Sequence, residues 1–250
     1  MPGSGRDITS LSLPLVGVPG GVFVTDLVIL GVKGSPFVRK VQVLLAEKGV
    51  EYELEAVMPF PAPDWFAEIN PAKRIPVLRD RSVGTEGAEG TIPDSSPICA
   101  YLERKQPDPA LYPADAFEMG RALWFEEYAD SVLALPVGMG MFRPMIFPAM
   151  AGKERDVATA RTTLQEKLPV VFDYLESQVR DREFLVGTTF GIADISVATH
   201  FVNMHHAGGK VDAARWPALA DYVSRMLARP SFAECIADEE KLFPPHGIEL

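Results

Sequence analysis

Every strand signal in this 250-residue chain lies before about residue 95, and beyond about residue 106 only helix and loop patterns remain. A single sheet spread over the whole length is therefore excluded. The chain must build a small α/β unit first and a helical unit after it. Residues 26–32 are short, β-branched and glycine-bounded, the pattern of a buried strand. Ser35-Pro36 then opens a helix, with serine at the cap, proline at the first helical position, an apolar face through Val38, Val41, Leu44 and Leu45, and Gly49 at the end. Residues 51–56 alternate, which predicts a strand with Glu51, Glu53 and Glu55 outward. A β-α-β order favours a parallel pair. Pro59, Pro61 and Pro63 stiffen the next loop. A short helix over 64–70, a strand at 75–78, a long glycine-rich turn at 84–90 and a helix over 94–105 complete the order β-α-β-α-β-β-α.

These signals divide the chain into a flexible extension over 1–24, an α/β domain over 25–106, a proline-rich linker over 107–114 and a helical domain over 115–250. Within the last, helices are expected at 116–135, at 153–180 with a kink at Pro169, at 192–206, at 217–229 and at 231–238. Residues 192–206 are apolar on all sides, as for a helix buried in a bundle. Residues 136–150, rich in Met, Phe, Pro and Gly, read as a break between helices. Apolar residues make up 47% of the chain and supply a core for both parts. A net charge of −10 argues against nucleic acid as a partner. No uninterrupted apolar run approaches the roughly 20 residues of a membrane span. Cys99 and Cys235 form no CxxC pair, so neither a disulfide framework nor a zinc site is expected, and a reducing, cytoplasmic setting is. His200, His205 and His206 lack metal-ligand spacing and read as surface or bundle-end residues.

Three segments carry chemistry. Ser35 stands where the first strand gives way to a helix, so the free amides and the positive end of the helix dipole face an anion or thiolate held there. Taken alone, Ser35 also reads as a simple cap. Pro76, at the start of a strand, is a candidate cis proline that would turn the backbone of Ile75 outward like a free strand edge. Asp94 and Ser95 open a further helix. A carboxylate and a hydroxyl there suit the ammonium and carboxylate of an amino-acid zwitterion, and equally suit capping.

In combination these segments resemble the cytosolic glutathione transferase superfamily, whose order is a strand, an S-P-F-x-x-(R/K)-V helix, an N-P loop running into (V/I)-P-V-L, then (E/D)-S-x-x-I-x-x-Y-L. Here Ser35-Pro36-Phe37, Asn70-Pro71, Ile75-Pro76-Val77-Leu78 and Asp94-Ser95 occur in that order. Residues 184–194 are similar to the family's buried capping segment, and 216–232 to its closing helices. The resemblance implies a thioredoxin-like N-terminal domain that binds glutathione, followed by an all-α bundle that shapes an electrophile site. It implies that Ser35, as in the serine-type, tau-like members, donates to the glutathione sulfur and favours the thiolate. It further implies that Phe37, Arg74, Ile75, Pro76, Asp94 and Ser95 line the glutathione site, with Arg74 toward the glycyl carboxylate. The electrophile wall is expected at Trp124, Tyr128, Met141, Phe142 and Met145. A homodimer is implied, with Glu127 or Asp130 near the partner's γ-glutamyl site, and so is a detoxifying role without any metal.

The resemblance leaves rivals open. A glutathione-dependent thiol oxidoreductase or peroxidase is one, although mixed-disulfide chemistry wants a cysteine where Ser35 stands. A non-catalytic ligand-binding module is another. One departure from the family pattern falls at Gly191, where Ser or Thr is usual. Only half of the capping box with Asp194 then remains, and some loss of stability is expected.

Overall fold

The computed structural model describes residues 25–250; the extension expected over residues 1–24 lies outside them. Four strands, β1 (Leu27–Gly31), β2 (Glu53–Ala56), β3 (Val77–Asp80) and β4 (Thr91–Pro93), form one sheet in the order β2-β1-β3-β4. β1 and β2 are parallel, as a β-α-β crossover requires, while β3 runs antiparallel to both β1 and β4. All five residues of β1 are buried, which accounts for its uninterrupted apolar sequence. Between the strands lie α1 (Pro36–Glu47) and α2 (Phe66–Ile69), and α3 (Ser95–Lys105) follows β4. Asp80 ends β3 and pins α3 to the sheet. It accepts from Tyr101 Oη at 2.6 Å and from Ser82 and Lys105. Burial opposes its charge, but these donors outweigh burial and pull its carboxyl down to about 2.

The helical part comprises α4 (Ala116–Tyr128), α5 (Arg143–Met150), α6 (Val157–Thr162), α7 (Pro169–Val179), α8 (Ile192–His206), α9 (Pro217–Leu227) and α10 (Pro230–Glu240). α8 is the central rod, packed against α1, α4, α9 and α10, and fourteen of its fifteen residues are buried. The break expected over 136–150 is absent: Ala116–Met150 is one continuous 35-residue helix. It absorbs Pro136 by widening to i→i+5 hydrogen bonds on both sides, as in Ala134 N–H to Ala129 C=O and Arg143 N–H to Gly138 C=O. By length and composition this helix would also suffice to cross a membrane. One face packs on α8, and a third of its most apolar stretch is buried, while Phe117, Leu123, Trp124, Val132 and Leu135 stay exposed. The helix expected over 153–180 begins later, at Val157, and a widened turn over Thr163–Lys167 precedes its restart at Pro169.

Gly191, the N-cap of α8, explains its own departure from the family pattern. Asp194 reaches back to the Gly191 N–H at 3.1 Å and also accepts from Leu185 N–H at 2.9 Å and Tyr222 Oη at 2.8 Å. The next amide, Ile192 N–H, is taken by the Leu111 carbonyl of the linker at 2.8 Å. A Cβ on residue 191 would stand 2.7 Å from that carbonyl oxygen. The linker occupies the space a capping side chain needs and caps α8 with its own backbone. Restoring the usual hydroxyl with Gly191→Ser is therefore expected to destabilise the protein by about 1–3 kcal/mol. In urea unfolding the midpoint should fall at unchanged slope; a raised midpoint would show that the missing hydroxyl outweighs the clash.

Candidate functional site

The fold brings the three chemical segments together. Gly31, at the end of β1, lies against Ile75: a Cβ added at residue 31 would stand 3.6 Å from the Ile75 Cβ. Asp94 N–H donates to the Pro76 carbonyl at 3.1 Å, and Val77 pairs with Pro93 across the β3–β4 ladder. The strand end that leads to Ser35, the Ile75-Pro76 turn and the start of α3 thus share one end of the sheet.

Ser35 caps α1, its Oγ accepting from Val38 N–H at 3.4 Å. That bond is long and uses only acceptor capacity. A hydroxyl has one hydrogen and two lone pairs, so the Ser35 O–H remains able to donate while it caps. Capping and donation to a sulfur are compatible. Phe37, half-buried, meets the His200 ring edge-on at 5.7 Å between centroids. It is turned toward the helical bundle.

The Ile75–Pro76 peptide is cis. Asn70 shapes the loop before it: its Oδ1 accepts from Ala72 N–H at 3.0 Å and its Nδ2 donates to the Arg74 carbonyl at 2.7 Å. Among the described residues, neither the N–H nor the C=O of Ile75 makes an internal hydrogen bond. Arg74 is exposed at the rim. Asp94 adopts φ 75°, ψ 139°, a region that side-chain-bearing residues avoid at a cost of about 1–3 kcal/mol. Its carboxylate accepts from Ser96 N–H at 3.2 Å. Next to it, Ser95 is buried and its Oγ has no partner. Tyr112, Thr163 and Ser196 also carry unpaired buried hydroxyls, but none of them belongs to these three segments. A strained acidic residue beside an orphaned hydroxyl at a helix start is a cradle with open hydrogen-bonding capacity.

Beneath this cradle lies an ionic network that sequence reasoning missed. Lys40 of α1 is fully buried and directs its ammonium at Glu126 (2.6 Å), Asp130 (2.9 Å) and Ser96 Oγ (2.9 Å). Burial would pull the ammonium down, but the Glu126 and Asp130 charges outweigh it and hold Lys40 above its ordinary value. Burial likewise opposes the Asp130 charge, yet the Lys40 ammonium at 2.9 Å holds that carboxyl below its ordinary value. His200 Nε2 stands 3.7 Å from Asp130, too far for a hydrogen bond. Asp130 thus meets Lys40 and Ser96 of its own chain, and Glu127 beside it is exposed. His200 and His206 are buried rather than on the surface. The signal for all this was available: Arg39 and Lys40 sit between Val38 and Val41 in a mainly apolar helix.

The expected electrophile wall divides. Met141 and Met145 are fully buried, and Met141 packs on Gly209 beyond α8, so both are core. Trp124 is 47% exposed, donates to Tyr174 Oη at 2.7 Å and, with Tyr128, packs on α7. At ~1.5 Å per residue, Tyr128 stands about 21 Å along the helix from Phe142, too far to line one small pocket with it. Phe142 is linked to the Ser35 end: its ring meets Phe243 at 5.4 Å, and Phe243 lies against Gly34. Phe60 and Phe147, joined through the Arg143 guanidinium, extend the same aromatic surface. Depressions of about 310 and 260 Å³ lie along the linker and the segment before α8, and neither includes a residue of the three segments.

Residues 30–110 match the family model described as glutathione S-transferase, N-terminal domain, and residues 134–230 match its C-terminal domain. An Escherichia coli K12 protein described as the uncharacterized GST-like protein YibF is 31% identical over 207 residues, covering 82% of this chain and 96% of its own. The crystal structure of a glutathione S-transferase from Rhodospirillum rubrum F11 superposes with a TM-score of 0.71 at 26% identity, covering 84% of this chain and 91% of its own. A glutathione S-transferase from Methylobacterium radiotolerans, solved in complex with glutathione sulfonate, superposes at 0.63 with 27% identity over 84% of this chain and 94% of its own.

The Lys40 network sets a stability test. Lys40→Met leaves two buried carboxylates without their cation and should cost about 3–5 kcal/mol. A lowered carboxyl and a raised ammonium make the wild-type network complete between about pH 4 and pH 10. Its contribution is lost as pH falls through the folded-state Asp130 value or rises through that of Lys40. In Lys40→Met, protonating Asp130 removes unpaired charge, so the gap to wild type should narrow on acidification. Chemical denaturation across pH 4–8 measures it, and a gap that stays constant would show that the ion pairs contribute nothing.

Proposed function

Since the chain belongs to the glutathione S-transferase superfamily, we propose that it binds glutathione across the Ile75, Asp94 and Ser95 cradle and activates its thiol at Ser35 for attack on a hydrophobic electrophile. Family membership supports transferase-type chemistry with glutathione as co-substrate; the residue roles are this proposal's own. The observation that carries it is the unpaired, buried Ser95 hydroxyl beside strained Asp94, at the start of α3 and at the end of the sheet shared with Ser35.

The residues present fit the tripeptide. Ser95 Oγ and the first amides of α3 meet the γ-glutamyl carboxylate at the positive end of the helix dipole, and the Asp94 carboxylate takes its ammonium. The free Ile75 N–H and C=O pair with the cysteinyl backbone as a strand edge does. Pro76 sets the turn, and exposed Arg74 reaches the glycyl carboxylate. Ser35 donates its hydroxyl hydrogen to the sulfur, and the amides opening α1 add to the positive potential there. Glutathione supplies the nucleophile; this chain supplies its orientation and the stabilisation of its anion. The aromatic surface of Phe60, Phe142, Phe147 and Phe243 is a wall for an apolar electrophile. The complex of the M. radiotolerans protein with glutathione sulfonate supports a tripeptide-sized site on this fold.

The thiol-oxidoreductase reading needs a protein thiolate, and serine stands at position 35. Burial pushes the Cys99 thiol far above its ordinary range and the Cys235 thiol up to about 11. A cytoplasmic homodimer accompanies the proposal. Phe117, Leu123 and Trp124 leave exposed apolar area on α4 for such contacts. Light scattering at micromolar concentration should give twice the chain mass, and a monomer would remove the dimer from the proposal.

Binding and activation separate by mutation. Ser95→Ala removes a charge-assisted bond of roughly 1.5–3 kcal/mol and should weaken glutathione binding by about tenfold or more in calorimetry. Ser35→Ala should keep that affinity, cost about 1 kcal/mol of capping stability, and lose the thiolate absorbance of bound glutathione near neutral pH. Ser35→Cys should lose conjugation and gain disulfide exchange with small mixed disulfides. If Ser35→Ala retained thiolate signal and turnover, the backbone amides alone would suffice and Ser35 would be a cap.

A further inference from the structure

The backbone on both sides of Ser35 is gripped by side chains of the helical domain. Gly34 N–H donates to Glu239 Oε1 at 3.1 Å, and the Gly34 carbonyl accepts from Asn203 Nδ2 at 3.2 Å. On the far side, the Thr199 hydroxyl donates to the Pro36 carbonyl at 2.8 Å. Thr199 and Asn203 lie one turn apart on α8, Glu239 lies on α10, and all three are buried. Arg39 locks them together: Nε reaches Glu239 Oε1 at 2.9 Å, and Nη1 reaches Asn203 Oδ1 at 2.8 Å and the Thr199 carbonyl at 2.7 Å. Gly34 has φ +86°, and a Cβ there would stand 2.5 Å from the Phe243 ring, so the gripped residue has no space for a side chain.

A Ser-Pro helix start needs none of this to be capped, and the cap bond of Ser35 itself is long. What the grip fixes is position. The Val32–Gly34 connection would otherwise move as loops do, while a hydroxyl that stabilises a sulfur anion must be held within about 0.5 Å of its working geometry. We propose that Thr199, Asn203 and Glu239 are positioning residues for Ser35, so that the helical domain fixes the activating hydroxyl from outside the domain that carries it. The proposal rests on the reading that Ser35 meets the glutathione thiol. None of the three is assigned a contact with substrate.

The experiment is a double-mutant cycle between position 199 and position 35, read by the pH midpoint of thiolate absorbance in the glutathione-saturated protein, by kcat with an aryl halide electrophile, and by calorimetric affinity for glutathione. Thr199→Val is nearly isosteric and changes no charge, so a moved midpoint reports geometry. It should raise the midpoint and lower kcat by about tenfold, a displacement well under 1 Å being enough. Glutathione affinity should stay within about twofold, since Ser95 and Asp94 are untouched. Thr199→Ser, which keeps the donor, should restore both. In the Ser35→Ala background Thr199→Val should cost nothing further, because a residue that acts only through Ser35 has nothing left to position. Glu239→Gln should move the midpoint in the same direction; if loss of the Arg39 partner unfolds it, Thr199→Val carries the test. Equal losses in both backgrounds, or a folded Thr199→Val with wild-type midpoint and kcat, would overturn the proposal while Ser35 keeps its role. A Ser35→Ala variant with wild-type midpoint and kcat would instead remove the Ser35 reading, and the positioning role with it.

Discussion

Two adjacent cations, Arg39 and Lys40, are completely buried on one helix, and the rest of the structure is arranged around that constraint. An unpaired buried ammonium or guanidinium would cost several kcal/mol. No partner comes from α1, and the rest of the α/β part supplies only Ser96 at the start of α3. The carboxylates come from the helical domain: Glu126 and Asp130 from the long helix, Glu239 from α10. Each cation is well satisfied. Lys40 donates to Ser96 and Asp130 and stands 2.6 Å from Glu126, and Arg39 meets Glu239 through two nitrogens while its third reaches α8. Because leaving either cation alone is so costly, the α/β part and the helical part cannot separate without exposing or stranding charge. The two domains are one electrostatic unit joined through α1.

The same pairing directs the site. Glu239 is held by Arg39 and by His206 Nε2 at 2.8 Å, and its remaining acceptor capacity goes to Gly34 N–H. Burial opposes the Glu239 charge, but Arg39 and His206 outweigh it and keep the carboxyl below its ordinary value. A group that stays charged inside the protein is a rigid anchor, and it is attached to the residue before Ser35. On the other side, Lys40 reaches Ser96, the residue after the unpaired Ser95. One buried cation thus faces the helix start where activation is assigned, and its neighbour faces the helix start where binding is assigned.

How much of this was legible follows from which interactions are local. The strand, cap and proline signals around Ser35, Pro76 and Asp94 act over a few residues, and the elements stand close to where those signals put them. The expected break over 136–150 failed because it was read from composition rich in Pro and Gly, whereas a helix packed along α8 can take Pro136 by widening its hydrogen-bond register. The electrophile wall was read from composition, and composition cannot tell a methionine in the core from one beside a cleft; Met141 and Met145 went to the core and Phe243 came from the far end of the chain. Gly191 was read as a deficit because the Leu111 carbonyl that fills its space is 80 residues away in sequence. Contacts between distant segments leave no periodicity. The Arg39-Lys40 pair was the exception: cations inside an apolar face announce buried partners without naming them.

The division of labour has a physical rationale. Binding a zwitterion needs open capacity, so the start of α3 carries a strained Asp94 and an unpaired Ser95, both costs that a ligand can offset. Stabilising a sulfur anion needs the opposite, a group already in place, because reorganisation during the reaction adds to the barrier. Around Ser35 the polar neighbours are therefore paired, and they are paired to groups outside its own domain. A substrate wall built from the long helix and the chain end then moves with the element that fixes the hydroxyl, since α8 and α10 belong to the same packed bundle. On the proposed reading, activation and electrophile binding share one rigid frame, and substitutions in the helical domain far from any ligand act on the chemistry through the backbone of residues 34 and 36.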